Sequence, residues 1–155
     1  MTSSPGLLFD LDGTLVDSIE LILASFRHAF AEVTGRVPPD AAWVAGIGTP
    51  LAAQLAELAG DPSLVAPLSD AYRAFQREHH DLLLREYDGV RDTLITLRGR
   101  GHPTAVVTSK AAEMTQRALR RTNLESLIDL VRETVRGRTG VELVREVRIV
   151  GDRDG

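Results

Sequence analysis

A chain of 155 residues, 43% hydrophobic and 26% charged, has the makeup of one soluble globular domain, or one compact domain with a small insertion, and can bury a single sizeable core. It has no cysteine, which excludes a disulfide framework and a thiolate metal site, points to a reducing compartment and leaves oxygen and His as the metal ligands on offer. A formal charge of −4 gives no basic footprint for nucleic acid, Met1 to Gly6 has no leader character, and no window reaches the ~18 apolar residues of a membrane span, so a cytoplasmic protein with neither nucleic-acid nor membrane partner is expected.

Leu7 to Asp10 reads as a short strand buried on both faces, because an uninterrupted apolar run leads straight into Asp10, Asp12 and Asp17. A helix follows: Asp17 and Glu20 have the spacing of a capping box, Ile19, Ile22, Leu23, Phe26, Phe30 and Val33 recur at helical period, and Gly35 stops it. After the Val37 to Asp40 loop comes a short helix to Ala45. Thr49 as N-cap, Pro50 at the first helical position and a terminal Gly60 then bound another. A long helix is expected from about Ser69 to Glu86, with Tyr72, Phe75, His79, Leu82 and Leu83 along one face.

From Asp88 the texture changes. Gly89 to Arg100 is a short amphipathic helix, Thr104 to Thr108 a second buried strand rich in β-branched residues, Ala111 to Arg121 a helix, and Leu127 to Val131 a third apolar strand. Strand, helix, strand repeated in this way predicts an α/β fold with an open parallel sheet, interrupted after its first strand by an all-helical insertion. The expected division is an α/β core from residues 1–17 and 88–155, with a helical cap from 18–87.

In such sheets ligands collect outside the carboxyl ends of the strands, which places Asp10 and Asp12 near Thr108, Ser109 and Lys110. Neighbouring carboxylates repel unless a cation sits between them, and Mg²⁺ takes one or two carboxylates plus water and phosphate oxygen. The hydroxyls of Thr108 and Ser109 suit a phosphate, and Lys110 adds charge there; every one of the other 17 cationic side chains is Arg. Asp-Gly after a strand also fits a hairpin, and Thr108 with Ser109 also fits a helix cap. His28, His79, His80 and His102 have no metal-ligand spacing and read as surface or packing residues. Trp43 and the Gly46 to Gly48 turn read as core and loop.

The stretch FDLDGTLVDS resembles the first motif of the haloacid dehalogenase superfamily, and the likeness extends to GIGTPL at Gly46 to Leu51, YDGVRDTLITLRGRGHPTAVVTSK at Tyr87 to Lys110, and the LESLIDLV that follows. The branch most similar is the phosphoglycolate phosphatase-like one, with a helical cap after the first motif, so a Rossmann-like parallel core is implied. The resemblance makes Asp10 the nucleophile and Asp12 the general acid and base. Thr108 becomes the phosphate-binding hydroxyl, with Gly13, Ser109 and Lys110 beside it. It implies Mg²⁺ as cofactor, held by Asp10, Asp12 and Asp152, and a small phosphorylated metabolite such as phosphoglycolate or pyrophosphate as substrate. Asp12 argues for phosphate over carbon–halogen chemistry, and Thr14 for a phosphatase over a mutase.

The pattern departs from the family after Val131. No Lys follows Lys110, and Gly151-Asp152, which resembles the start of the fourth motif, arrives about twenty residues early with Asp154 as a poor substitute for the second acid; alternatively this tail is divergent and its Gly-Asp fortuitous. Two readings stand: a Mg²⁺-dependent phosphatase working through an aspartyl-phosphate, or a shortened, weakly active or inactive relative that keeps the fold and binds phosphate or a partner. An incompletely covered sheet is expected to leave apolar surface for an oligomeric partner.

Overall fold

The computed structural model describes residues 4–128 and 130–133. In chain order the elements are β1 (Leu7–Phe9), β2 (Val16–Asp17), α1 (Ile19–Thr34), α2 (Asp40–Ala45), α3 (Leu51–Ala59), α4 (Val65–Leu83), β3 (Arg85–Glu86), α5 (Val90–Gly99), β4 (Thr104–Thr108), α6 (Ala112–Arg121) and β5 (Leu130–Glu133), with short 3₁₀ turns at Pro62–Leu64 and Glu125–Leu127. The expected α/β architecture is present. β1, β4 and β5 form a parallel sheet in the order β1-β4-β5, with Phe9 opposite Val106 and Thr108 opposite Glu133.

One face of that sheet carries the core. Alternation along β4 buries Thr104, Val106 and Thr108, and Val106 packs with Leu94 of α5, Ala118 and Leu119 of α6, and Leu11, Leu15 and Leu124. Thr104 tolerates burial because its hydroxyl donates to the Leu127 carbonyl at 2.7 Å. The opposite face is only partly covered among the described residues, with Ala105 and Val107 half-buried and Leu8 73% exposed, so the two-sided burial expected of β1 is not seen at Leu8.

Helices α1 to α4 enclose a second cluster, with Phe26, Phe30, Trp43, Leu55, Leu68 and Tyr72 buried in it. Phe26 and Trp43 stack at 4.3 Å. Gly35 and Gly60 end α1 and α3 in the left-handed conformation (φ 68° and 66°), as their positions in the sequence predicted. At the two ends of the helical insertion lies an element that the hydrophobic pattern does not reveal: β2 pairs antiparallel with β3, Val16 opposite Glu86 and Asp17 opposite Arg85. The long helix therefore ends at Leu83, and the expected helical residues Arg85 and Glu86 are strand.

Smaller corrections follow from local hydrogen bonding. Glu20 completes no capping box and pairs instead with Arg27, one turn beyond i+4, at 3.1 Å. Thr49 supplies no cap to α3, whose N-cap position is Pro50. The third apolar run splits: Leu127 closes a 3₁₀ turn, and the strand begins at Leu130. Among the described residues no helix is long and apolar enough to cross a membrane.

Candidate active site

Parallel pairing aligns the two strand ends that matter. Phe9 stands opposite Val106, so Asp10, one residue on, and Thr108, two residues on, leave the sheet at the same edge. After β1 the chain makes a single tight turn in which the Leu11 carbonyl accepts from the N–H groups of Thr14, Leu15 and Val16 at 2.9 to 3.2 Å. Gly13 permits that turn: its φ is +77° and its N–H donates to the Val16 carbonyl at 2.9 Å. The loop thus projects two acids two residues apart while burying Leu11 and Leu15 beneath them. One Asp10 carboxylate oxygen accepts from the Leu11 N–H at 2.8 Å.

Asp12 meets the second strand end directly. The Lys110 ammonium donates to Asp12 Oδ1 at 2.7 Å, with the Lys110 side chain 9% exposed and that of Asp12 29%. Thr108, 5% exposed, accepts from the Lys110 N–H through its hydroxyl at 3.2 Å, which folds the turn so that Lys110 faces the acids. The capping alternative for Thr108 and Ser109 is not realised, since α6 has Ala111 at its N-cap and no side-chain cap. Ser109 is exposed at the rim of this turn. Asp17 serves the start of α1, accepting from the Ile19 N–H at 3.1 Å. Asp152 and Asp154 lie outside the described residues.

The profile of the haloacid dehalogenase-like hydrolases matches residues 7–138. The chain belongs to that family. The chain is 36% identical over 125 residues to the pyrophosphatase PpaX of Anoxybacillus flavithermus, a match covering 81% of this chain and 57% of the relative, so it spans little more than half the length of such curated relatives. Among solved structures it is similar to the protein tyrosine kinase A of Mycobacterium tuberculosis (TM-score 0.75, 32% identity, 86% of this chain and 62% of that one). It is also similar to a predicted phosphatase of Clostridium acetobutylicum (TM-score 0.76, 26% identity, 88% and 64%).

In this haloacid dehalogenase-like chain α4 buries a face that the hydrophobic stripe predicted only in part. The buried residues of α4 are Leu68, Tyr72 and His80, whereas Leu82, assigned to the buried face by its spacing, is 74% exposed. Tyr72, Gln76 and His80 succeed one another every fourth residue and so share a face. His80 is completely buried, with Nδ1 2.7 Å from Asp81 and Nε2 without a partner among the described residues. Burial, opposed by Asp81 and reinforced by Lys110 and Arg117, holds its pKa below the usual imidazole value. The other histidines behave as expected: His28 pairs with Glu32, His79 stacks on Phe75 at 3.9 Å, and His102 faces the Pro5 carbonyl.

The end of α4 is fastened to α6. Arg117 donates to both Asp81 oxygens at 3.0 and 2.9 Å and to the Arg77 carbonyl at 2.7 Å, and Arg121 donates to the Asp81 carbonyl at 2.9 Å. Arg117, then His80, hold the Asp81 carboxyl down at about 2. Sequence reading had no signal for this fastening, because its partners are forty positions apart on two helices.

Asp10 and Asp12 provide hard carboxylate oxygens of the kind Mg²⁺ takes, one or two at a time. Asp12 Oδ1 is engaged by Lys110 while Oδ2 has no hydrogen bond among the described residues, so the donor set fits the ion. Among the described residues no three metal-ligating side chains cluster, and a third acid would have to come from elsewhere.

Proposed function

We propose that the chain hydrolyses a phosphomonoester or phosphoanhydride of small size, such as phosphoglycolate or pyrophosphate, through an aspartyl-phosphate on Asp10. The observation that carries this reading is the Lys110 to Asp12 ion pair, which joins the turn after β1 to the turn after β4 beside Asp10 and Thr108. The family membership and the pyrophosphatase relative support it.

In this reading the Asp10 carboxylate attacks phosphorus in line, an Asp10 oxygen–phosphorus bond forms, and the bond to the leaving oxygen breaks. Asp12, in its protonated form, gives its proton to that oxygen. Water then attacks the aspartyl-phosphate, Asp12 takes a proton from it, and phosphate leaves with Asp10 restored. Gly13, Thr108, Ser109 and Lys110 hold the equatorial oxygens, Lys110 as a compact point charge. Asp10 and Asp12, with Asp152 as a third ligand, would hold Mg²⁺, which when bound neutralises charge between the carboxylates and the phosphoryl group. Residues 18–87 act as the cap over this edge, and 1–17 with 88–155 as the catalytic unit.

A second reading rests on one sequence fact: no Lys follows Lys110. In it the chain binds phosphate or a partner without turnover. Hydrolysis of an aryl phosphate with and without Mg²⁺, by wild type and Asp10→Asn, separates the two. The phosphatase reading predicts Mg²⁺-dependent release of the phenol that drops at least ~10³-fold in the variant; absence of turnover in both proteins supports the binding reading.

A further inference from the structure

The buried face of α4 holds a donor that the fold itself does not use. Tyr72 is 6% exposed, and its hydroxyl oxygen accepts from Gln76 Nε2 at 3.1 Å. That bond occupies the oxygen and leaves the hydroxyl hydrogen without an acceptor among the described residues. Beside it, the Trp43 ring lies 5.8 Å from the Tyr72 ring, and its buried Nε1–H also lacks an acceptor there. A buried donor left unmet is destabilising, so these two neighbouring donors call for an oxygen that the described chain does not supply.

The position of this face follows from the fastening of α4 to α6. Arg117 reaches the carbonyl of Arg77 and Arg121 that of Asp81, a constant offset of forty, so over these residues the two helices run in the same direction. Because the helices share a direction there, the earlier turns of α4, where Tyr72 lies, lead towards the end of α6 that follows Lys110. The electrostatics agree: the Tyr72 phenol is pushed up chiefly by burial and further by the Asp12 carboxylate.

We infer that Tyr72, oriented by Gln76, is a specificity-determining residue that donates to an anionic oxygen on the leaving group, selecting substrates whose leaving group carries a phosphoryl or carboxylate charge. This rests on the phosphatase reading, in which Asp12 protonates the leaving oxygen, so a cap group within electrostatic reach of Asp12 stands on the leaving-group side. The near-complete burial of Tyr72 and Trp43 restricts that group to a few heavy atoms.

Calorimetric binding of three non-hydrolysable probes tests it without requiring turnover: methylphosphonate, which has no second charge, phosphonoacetate, which adds a carboxylate, and methylenediphosphonate, which adds a phosphonate. Wild type should bind one or both of the doubly charged probes more tightly than methylphosphonate, and which one it prefers identifies the charge. Tyr72→Phe should weaken the preferred probe about tenfold to a hundredfold and leave methylphosphonate within about twofold. Gln76→Met, a milder change, should show a smaller loss with the same selectivity, and it decides the matter if Tyr72→Phe does not fold. Equal loss for all three probes, or no loss for any, overturns the inference while leaving the phosphate site intact. Failure of wild type to bind even methylphosphonate overturns the phosphatase reading together with it.

Discussion

Lys110 is the residue through which the site reads as more than two acids in a turn. Its ammonium is nearly buried against a partly exposed carboxylate, where a pair is worth more than at the surface and where losing one partner leaves the other without compensation. Lys110→Gln should lower kcat/KM for an aryl phosphate about 10²-fold, and Lys110→Arg should recover little, because a planar fork does not replace a compact ammonium. Steady-state kinetics of the two variants checks both statements. Away from the site, Gly46 shows a purely steric requirement. Its φ of −96° is ordinary, yet an added Cβ would lie 2.4 Å from Gln54 Nε2, and Gln54 is buried with that nitrogen donating to the Trp43 carbonyl at 2.6 Å. Gly46→Ala should cost about 1–3 kcal/mol in urea unfolding. The sequence reading of this turn as core and loop agrees with that packing, and the placement of the acids, Gly13, Thr108 and Lys110 at one sheet edge was legible because it is local to two strand ends.

At the scale of elements, what was legible was periodic. The glycine stops of α1 and α3 and the β-branched strand β4 follow from patterns within a dozen residues, and the parallel pairing from the longer alternation of strand, helix and strand. The β2 and β3 ribbon was not, since two-residue strands carry no period and pair across the whole helical insertion. The α4 to α6 fastening was hidden for the same reason, and it gives the structure a pH dependence. His80 is held neutral by burial, so below about pH 6.5 the unfolded chain takes up a proton that the folded chain resists; stability is full above that pH and falls as the medium is acidified. Asp81 adds a second loss in stronger acid, as pH falls from about 3.9 towards its folded value of about 2. The urea midpoint of wild type should therefore drop between pH 7 and pH 5.5, and His80→Phe should flatten that interval. A wild-type midpoint that rises on acidification would contradict the assignment.

For the molecule as a whole, the sheet is covered on one face and only partly on the other among the described residues. Leu8 marks the less covered side, and the expectation that β1 is covered twice failed there because apolar runs record what a strand can bury and not what lies over it. Leu8→Lys should change stability by less than about 0.5 kcal/mol if that face is open to water. A loss of about 2 kcal/mol or more in chemical denaturation would show that further chain or a partner covers it. The two hydrophobic clusters, one on the sheet and one among the helices, share no residue, and in the proposed reading catalysis falls to the first part and specificity to the second.

The central claim is that Asp10 carries the phosphoryl group. Acid quenching during turnover of an aryl phosphate, followed by mass mapping of peptides, reads this directly. The account predicts one phosphoryl group on the peptide that holds Asp10, present in wild type and absent in Asp10→Asn. Turnover with the phosphoryl group on another residue, or unabated turnover by Asp10→Asn, would contradict it.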